Sequence, residues 1–204
     1  IKLDFRPEGH SEGSATYFRE FLRDHMKQWV KDHLKPDGTE YDLYRDGLKI
    51  YTTIDSKMQQ YAEEAVTEHL KNLQKEFFIA AKGKANAPFV DITPEQTQQI
   101  MAQAMKNSER WRKMDLNGKT KEEIIKSFDV PAKMKIFTYE GEKDTLMKPT
   151  DSIIYYKHML QTGMMAMEPR NGHIKAWVGG VNYKYFQYDH VGQGARQVGS
   201  TFKS

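Results

Sequence analysis

Residues 164–178 carry the pattern of a β-hairpin, and no other stretch leaves so little choice of local structure. Residues 164–168 form an apolar run closed by Glu168, residues 169–172 read Pro-Arg-Asn-Gly, and residues 173–178 place Ile174, Ala176 and Val178 on one side. Proline presets one backbone angle and Asn-Gly tolerates positive φ, so these four residues reverse the chain between two strands of period two. A lone hairpin is marginal in water and needs a covering layer. Three helical stripes can supply it. Tyr17, Phe18, Phe21, Leu22, Met26, Trp29 and Val30 recur at helical spacing over 16–34 and stop before Pro36-Asp37-Gly38. Asp55 caps a second helix, with Met58, Tyr61, Ala62, Ala65, Val66 and Leu70 as its apolar stripe to about Leu73. Thr150 caps a third, carrying Ile153, Ile154, Tyr155, Tyr156, Met159 and Leu160, with Gly163 as its stop.

Between these stretches the pattern changes. Residues 47–54 read as a strand with Leu48, Ile50, Thr52 and Ile54 on one face. Residues 74–148 read as an inserted subdomain: a loop at 83–88, polar helices at 94–114 and 120–128, and a short strand at 134–139. Pro94 suits a first helical turn with Thr93 as cap. Residues 183–199, rich in Gly, Tyr and Gln, lack a period and read as a loop leading to Ser200.

Composition narrows the function classes. Hydrophobic residues are 38% of the 204 against 29% charged, and the mean hydropathy is -0.79, so much of the chain is solvated helix or loop. The net charge of +3 arises from 31 basic and 28 acidic residues interspersed in sign, which gives no nucleic-acid footprint; Lys82 and Lys84 around Gly83 read as a solvated loop. With no cysteine, thiol and disulfide chemistry are closed. No apolar run approaches the roughly 18 residues of a membrane span, and the first residues lack the pattern of a signal peptide. The expectation is a piece excised from a longer protein, with no membrane contact of its own.

Ser200 and Lys203 are the one place where a lysine follows a serine by three positions. On a helix, i and i+3 share a face, so the amine can take the hydroxyl proton if its surroundings favour the neutral form. A helix N-terminus disfavours the ammonium and stabilises an oxyanion. The same residues also suit a capping serine with a solvated lysine. Other candidates are weaker. Gly118-Lys119-Thr120 lacks the preceding strand and first glycine of a phosphate loop. The seven histidines never pair at i+3 or i+4, so His158, His173 and His190 read as structural. Glu63-Glu64 and Glu122-Glu123 read as solvated.

Arg196-Gln197-Val198-Gly199-Ser200-Thr201-Phe202-Lys203 is similar to the R-Q-P-G-S-[ST]-F-K element of penicillin-binding proteins, with Val198 at the common proline. The hairpin from Ala166 to Gly180 resembles that family's strand pair just upstream. Gly47 to Asp55, with Gln59 and Ala62 to Ala65 behind it, resembles the opening of the transpeptidase domain in class A, bifunctional members. The resemblance covers residues 16–72 and 149–204, and lapses between them. It implies an α+β fold: the N-terminal part of a penicillin-binding transpeptidase domain, serine β-lactamase-like, with a helical insertion and a connector. Residues 1–46 would be the connector from an upstream glycosyltransferase domain, 47–73 the start of the transpeptidase domain, 74–148 the insertion and 149–204 the core segment ending at S-x-x-K.

The resemblance further implies peptidoglycan synthesis on the extracytoplasmic side of the bacterial inner membrane, with an anchor outside this chain. Ser200 would be the acylated nucleophile and Lys203 its base, acting on D-Ala-D-Ala stem peptides and trapped by β-lactams, without metal or organic cofactor. The family's later S-x-N and K-T-G elements do not occur after Ser200, so the fragment is expected to be inactive alone. Two other readings stay open: a non-catalytic module that docks cell-wall assembly proteins, and a serine D,D-carboxypeptidase or β-lactamase-type hydrolase.

Overall fold

The computed structural model describes residues 9, 12–84, 86–195 and 199. Among them six helices mix with four strands, and the strands form two separate antiparallel pairs. The chain divides into two compact units, residues 1–69 with 161–204 and residues 70–160.

In the first unit, α1 (Thr16–Asp32) and the start of α2 (Ser56–Ala81) accompany the hairpin of β3 (Met164–Met167) and β4 (Ile174–Val178). The hairpin forms where its turn chemistry places it. Met164 pairs with Val178 and Ala166 with Ala176, and Gly172 adopts φ 74° in the turn, a conformation that a Cβ disfavours. Burial of β4 differs from simple alternation: Ala176, Trp177 and Val178 are all buried. The second face is covered because Trp177 stacks on Phe21 of α1, ring centroids 4.9 Å apart, and meets Phe18 at 6.0 Å.

Residues 47–54 are not a strand, and the reason lies on the edge of β4. Asp55 N–H donates to the Lys175 carbonyl at 2.9 Å, and Thr53 spends its hydroxyl on the Ile174 carbonyl. The next outward N–H and C=O, both of Trp177, are taken by Gln59 of α2, so a ladder has nowhere to continue. Tyr51 is left 88% exposed.

The helix α2 starts as its cap predicts, with Asp55 Oδ1 accepting from the N–H groups of Lys57 and Met58 at 2.9 and 3.0 Å. It then runs to Ala81 rather than Leu73, since no breaker intervenes. Its buried stripe is Gln59, Ala62, Val66, Leu70 and Gln74, while Met58 and Tyr61 face solvent.

The second unit holds the remainder of α2, α3 (Pro94–Lys106), α4 (Glu109–Leu116), α5 (Lys121–Ser127), the hairpin β1 (Ala132–Thr138) and β2 (Gly141–Met147), and α6 (Pro149–Lys157). The helix expected over 94–114 is two. Asn107 closes α3 and the Ser108 hydroxyl caps α4 by accepting Trp111 N–H at 3.2 Å. Thr93 and Thr120 each form a capping box, with Gln96 and Glu123, which accounts for both helix starts and for the Gly118-Lys119-Thr120 turn. Strand β2 was hidden by its polar surface: Glu142, Lys143 and Asp144 are exposed and show no apolar alternation.

Ile124 and Phe128 are the most buried residues of this unit, joined by Ile136, Phe137 and Met159. Thr150 is not the cap of α6, which starts at Pro149 after Lys148. Its hydroxyl and N–H instead hold the Phe128 carbonyl. Nor does Gly163 end that helix, which stops at Lys157 with His158 as its cap. Beyond that cap, buried Gln74 donates to the His158 carbonyl at 2.9 Å and accepts the Leu160 N–H at 2.8 Å.

Candidate functional site

The loop that follows β4 leads to Ser200, and its footing is built from α1, α2 and β4. Trp177 is the pivot. Gln59, 1% exposed, donates Nε2–H to the Trp177 carbonyl at 2.9 Å and accepts the Trp177 N–H at 2.7 Å. One amide side chain thus satisfies both polar groups of a buried peptide, as a neighbouring strand would. Gln59 Nε2 also donates to Glu63 Oε1 at 2.7 Å, and that oxygen accepts Ala15 N–H at the entry to α1. Glu63 is therefore a tie between two helices, where its place beside Glu64 suggested a solvated face.

Beyond Val178 the chain passes Gly179 and Gly180, both pressed against side chains. A Cβ at Gly180 would lie 2.4 Å from the Tyr17 hydroxyl, and one at Gly179 2.3 Å from Asp189 Oδ1. The Tyr17 hydroxyl donates to the Phe186 carbonyl at 2.5 Å. Burial first, and then the nearby Asp189 charge, raise its pKa, so it stays a protonated donor.

Asp189 is itself buried, 8% exposed. Its Oδ2 accepts Trp177 Nε1–H at 3.0 Å, and its Oδ1 accepts the N–H groups of Val191 and Gly192 at 2.9 and 3.1 Å. Further bonds run from His190 N–H to the Gly179 carbonyl and from Gln193 N–H to the Asp189 carbonyl, both at 2.8 Å. A cleft of about 410 Å³ opens between α1 and this loop, with Glu20, Arg23, Asp24 and Gln187 on its wall.

The nucleophile and base expected from the sequence, Ser200 and Lys203, lie outside the described residues. Of the approach to them, the structure describes residues up to Ala195, and Gly199. Among the described residues no group of three His, Asp or Glu side chains could hold a metal, and no helix is long and apolar enough to cross a membrane. Of the histidines singled out, His158 Nδ1 lies 2.9 Å from the Ile154 carbonyl, and His190 packs edge-on against Tyr188. Sequence reasoning missed Gln74 and Asp189, and quoted Gln59 only within a family resemblance, without a role. For the two glutamines a signal existed: each occupies the face that Ala62, Val66 and Leu70 define. Asp189 sits in a stretch without a period, where only its burial distinguishes it.

Residues 84–160 match the family model of the penicillin-binding protein middle domain. That match falls on the section where the motifs found in the sequence lapse. Curated relatives carry the name penicillin-binding protein 1A. The one from Aquifex aeolicus is 26% identical over 78% of this chain and 22% of its own length. Those from Rickettsia prowazekii and Vibrio cholerae are 25% and 23% identical over 94% of this chain, and 25% and 26% of theirs. The chain spans about a quarter of the length of the curated relatives it matches. No solved structure matches it significantly. The chain is thus similar to penicillin-binding proteins 1A over most of its length, and to their family's middle domain over residues 84–160.

Proposed function

We propose that this chain serves peptidoglycan synthesis as part of a bifunctional synthase, and that its C-terminal portion delivers the acyl-enzyme serine of a D,D-transpeptidase. The observation that carries this reading is the element from Arg196 to Lys203, which follows the hairpin and its anchored loop in a chain whose relatives are all named penicillin-binding protein 1A. In the complete protein Ser200 Oγ attacks the carbonyl of the penultimate D-Ala. Its proton passes to Lys203 Nζ and on to the departing amine of the terminal D-Ala as the peptide C–N bond breaks. An amine of a neighbouring stem peptide then attacks the ester, takes the acyl group and restores the Ser200 hydroxyl. A β-lactam enters by the first step and remains bound. Glycan polymerisation and the membrane anchor belong to other parts of the protein, which works on the outer side of the inner membrane. The middle-domain match and the packed core of residues 70–160 support a scaffolding role for that unit.

The test is the acylation rate of the full-length protein with a fluorescent penicillin. Ser200→Ala should abolish covalent labelling. Lys203→Ala should slow acylation by at least about 10²-fold, the lower range of general-base contributions. Lys203→Arg should be nearly as slow, because a guanidinium stays protonated and cannot accept the proton. Acylation by Lys203→Arg near the wild-type rate would refute the assignment of Lys203 as base.

A further inference from the structure

We propose that Asn117 is a site of spontaneous deamidation, at which the chain converts its own amide to a carboxylate and loosens the corner between α4 and α5. Two asparagines in the sequence are followed by glycine, Asn117 and Asn171. Glycine has no Cβ to crowd its nitrogen or to restrict its backbone, so in both pairs the main-chain nitrogen can attack the preceding side chain. In that step the Gly118 nitrogen bonds to Asn117 Cγ and gives up its proton, the Cγ–Nδ2 bond breaks, and ammonia departs. A cyclic imide remains. Water then opens the ring at Cγ, which restores the ordinary main chain with aspartate, or at the main-chain carbonyl carbon, which leaves isoaspartate.

The fold separates the two pairs. Each asparagine must turn about its Cα–C bond to bring Cγ onto the next nitrogen, and what resists that turn differs. At Asn171 the reacting amide is itself held, since its Oδ1 accepts the His173 N–H at 2.9 Å. There the Gly172 N–H also donates to the Glu168 carbonyl at 2.9 Å, and the Glu168 N–H closes the turn on the His173 carbonyl at 2.8 Å. Among the described residues the exposed Asn117 side chain makes no hydrogen bond. Its turn is resisted by two backbone bonds, from Gly118 N–H to the Asp115 carbonyl at 2.9 Å and from Lys119 N–H to the Met114 carbonyl at 3.1 Å. Both lie at the end of a helix, where fraying begins. Asn171 thus has one more bond to release, worth about fivefold in population for a typical net hydrogen bond, and that bond holds the group that must react. The product is badly placed for its surroundings. A carboxylate at the C-terminal cap of α4 faces the negative end of the helix dipole, and isoaspartate adds a carbon to the main chain three positions before Thr120 starts α5 with its capping box. That helix carries the fully buried Ile124, so the change acts on the core of the unit of residues 70–160.

The full-length protein, held in neutral buffer and sampled over days, tests this by peptide mass spectrometry, with the aspartate and isoaspartate products separated by chromatography. In the folded protein Asn117 should convert about fivefold faster than Asn171, the effect of that one bond. In the same protein unfolded in urea the two should convert at similar rates, because the bonds that distinguish them are gone. Asn117→Gln should end conversion at that position, its longer side chain closing a less favourable ring, and leave the rate at Asn171 unchanged. Molecules modified at Asn117 should exchange amide hydrogens faster over residues 117–127 than unmodified ones. Conversion of Asn171 as fast as that of Asn117 in the folded protein would overturn the proposal, and so would an intact Asn117 over a period in which the unfolded chain converts. A preference of the same size in urea would trace the difference to neighbouring side chains and overturn it as well, as would equal hydrogen exchange in modified and unmodified molecules.

Discussion

A buried hydroxyl with nothing to bond is the clearest single-residue liability in the molecule. Tyr139 follows β1, its ring 5.3 Å from that of Phe137, and its hydroxyl is buried without a hydrogen-bond partner among the described residues. Burial pushes its pKa up to about 12, so it remains a protonated donor whose hydration is lost on folding. Tyr139→Phe removes the orphan group and keeps the ring. It should stabilise the protein by about 1 kcal/mol, the low end of an unpaired buried group's penalty, read as a higher denaturant midpoint at unchanged slope. A lower midpoint would mean that the hydroxyl has a partner, such as a water. The phenols of Tyr155 and Tyr156 fare differently, donating to and accepting from the Phe137 peptide at 2.7 and 3.1 Å.

At the level of elements, α2 is docked by polar groups at both ends of its buried stripe. Gln59→Leu would leave the Trp177 N–H and C=O buried and unpaired and should cost about 2–6 kcal/mol, the sum of two such penalties. Equilibrium unfolding would show it, and a loss under about 1 kcal/mol would mean that water replaces the side chain. The start of α2 adds a pH dependence. Bonds first from Met58 N–H and then from Lys57 N–H hold the Asp55 carboxyl below its usual range. A depressed carboxyl stabilises the folded state above its unfolded pKa of about 3.9, and that contribution disappears as pH falls through the lower folded value. Asp55→Asn should flatten this part of the acid limb of unfolding between about pH 5 and pH 2; an unchanged limb would remove Asp55 from the balance. These elements also show what the sequence discloses. Helix α1, the β3–β4 hairpin, the cap at Thr93 and the helix start at Thr120 were legible, because each depends on a local pattern. The break at Asn107-Ser108 was not, since α3 and α4 share one polar composition. Strand β2 was hidden because its stability comes from pairing with β1 rather than from an apolar face. The strand expected over 47–54 carries the right propensity but loses the edge of β4 to the side chain of Gln59. At the candidate site, Ser200 and Lys203 were read from a motif, while Asp189 has meaning only through Trp177, twelve positions earlier and adjacent in space.

On the scale of the whole molecule, the unit of residues 70–160 is contiguous, whereas the other joins residues 1–69 to 161–204. Replacement of residues 82–130 by a short linker would delete Ile124 and Phe128, 0% and 2% exposed, and with them the core against which Thr150 is tied. Residues 131–160 should then lose protease resistance in limited proteolysis read by mass spectrometry; persistent protection there would show that β1, β2 and α6 hold together unaided. The discontinuity also sets a timetable for synthesis. The contiguous unit has all its residues once position 160 is made. Tyr17 must wait for Phe186 and Gln59 for Trp177, separations of 169 and 118 residues. At translation rates of about 5–20 residues per second, the partner of Gln59 arrives roughly 6–24 s after it. For that interval the faces of α1 and α2 that will hold the hairpin lack it, so this segment is most open to misassociation at those two helices, and protection comes with the hairpin.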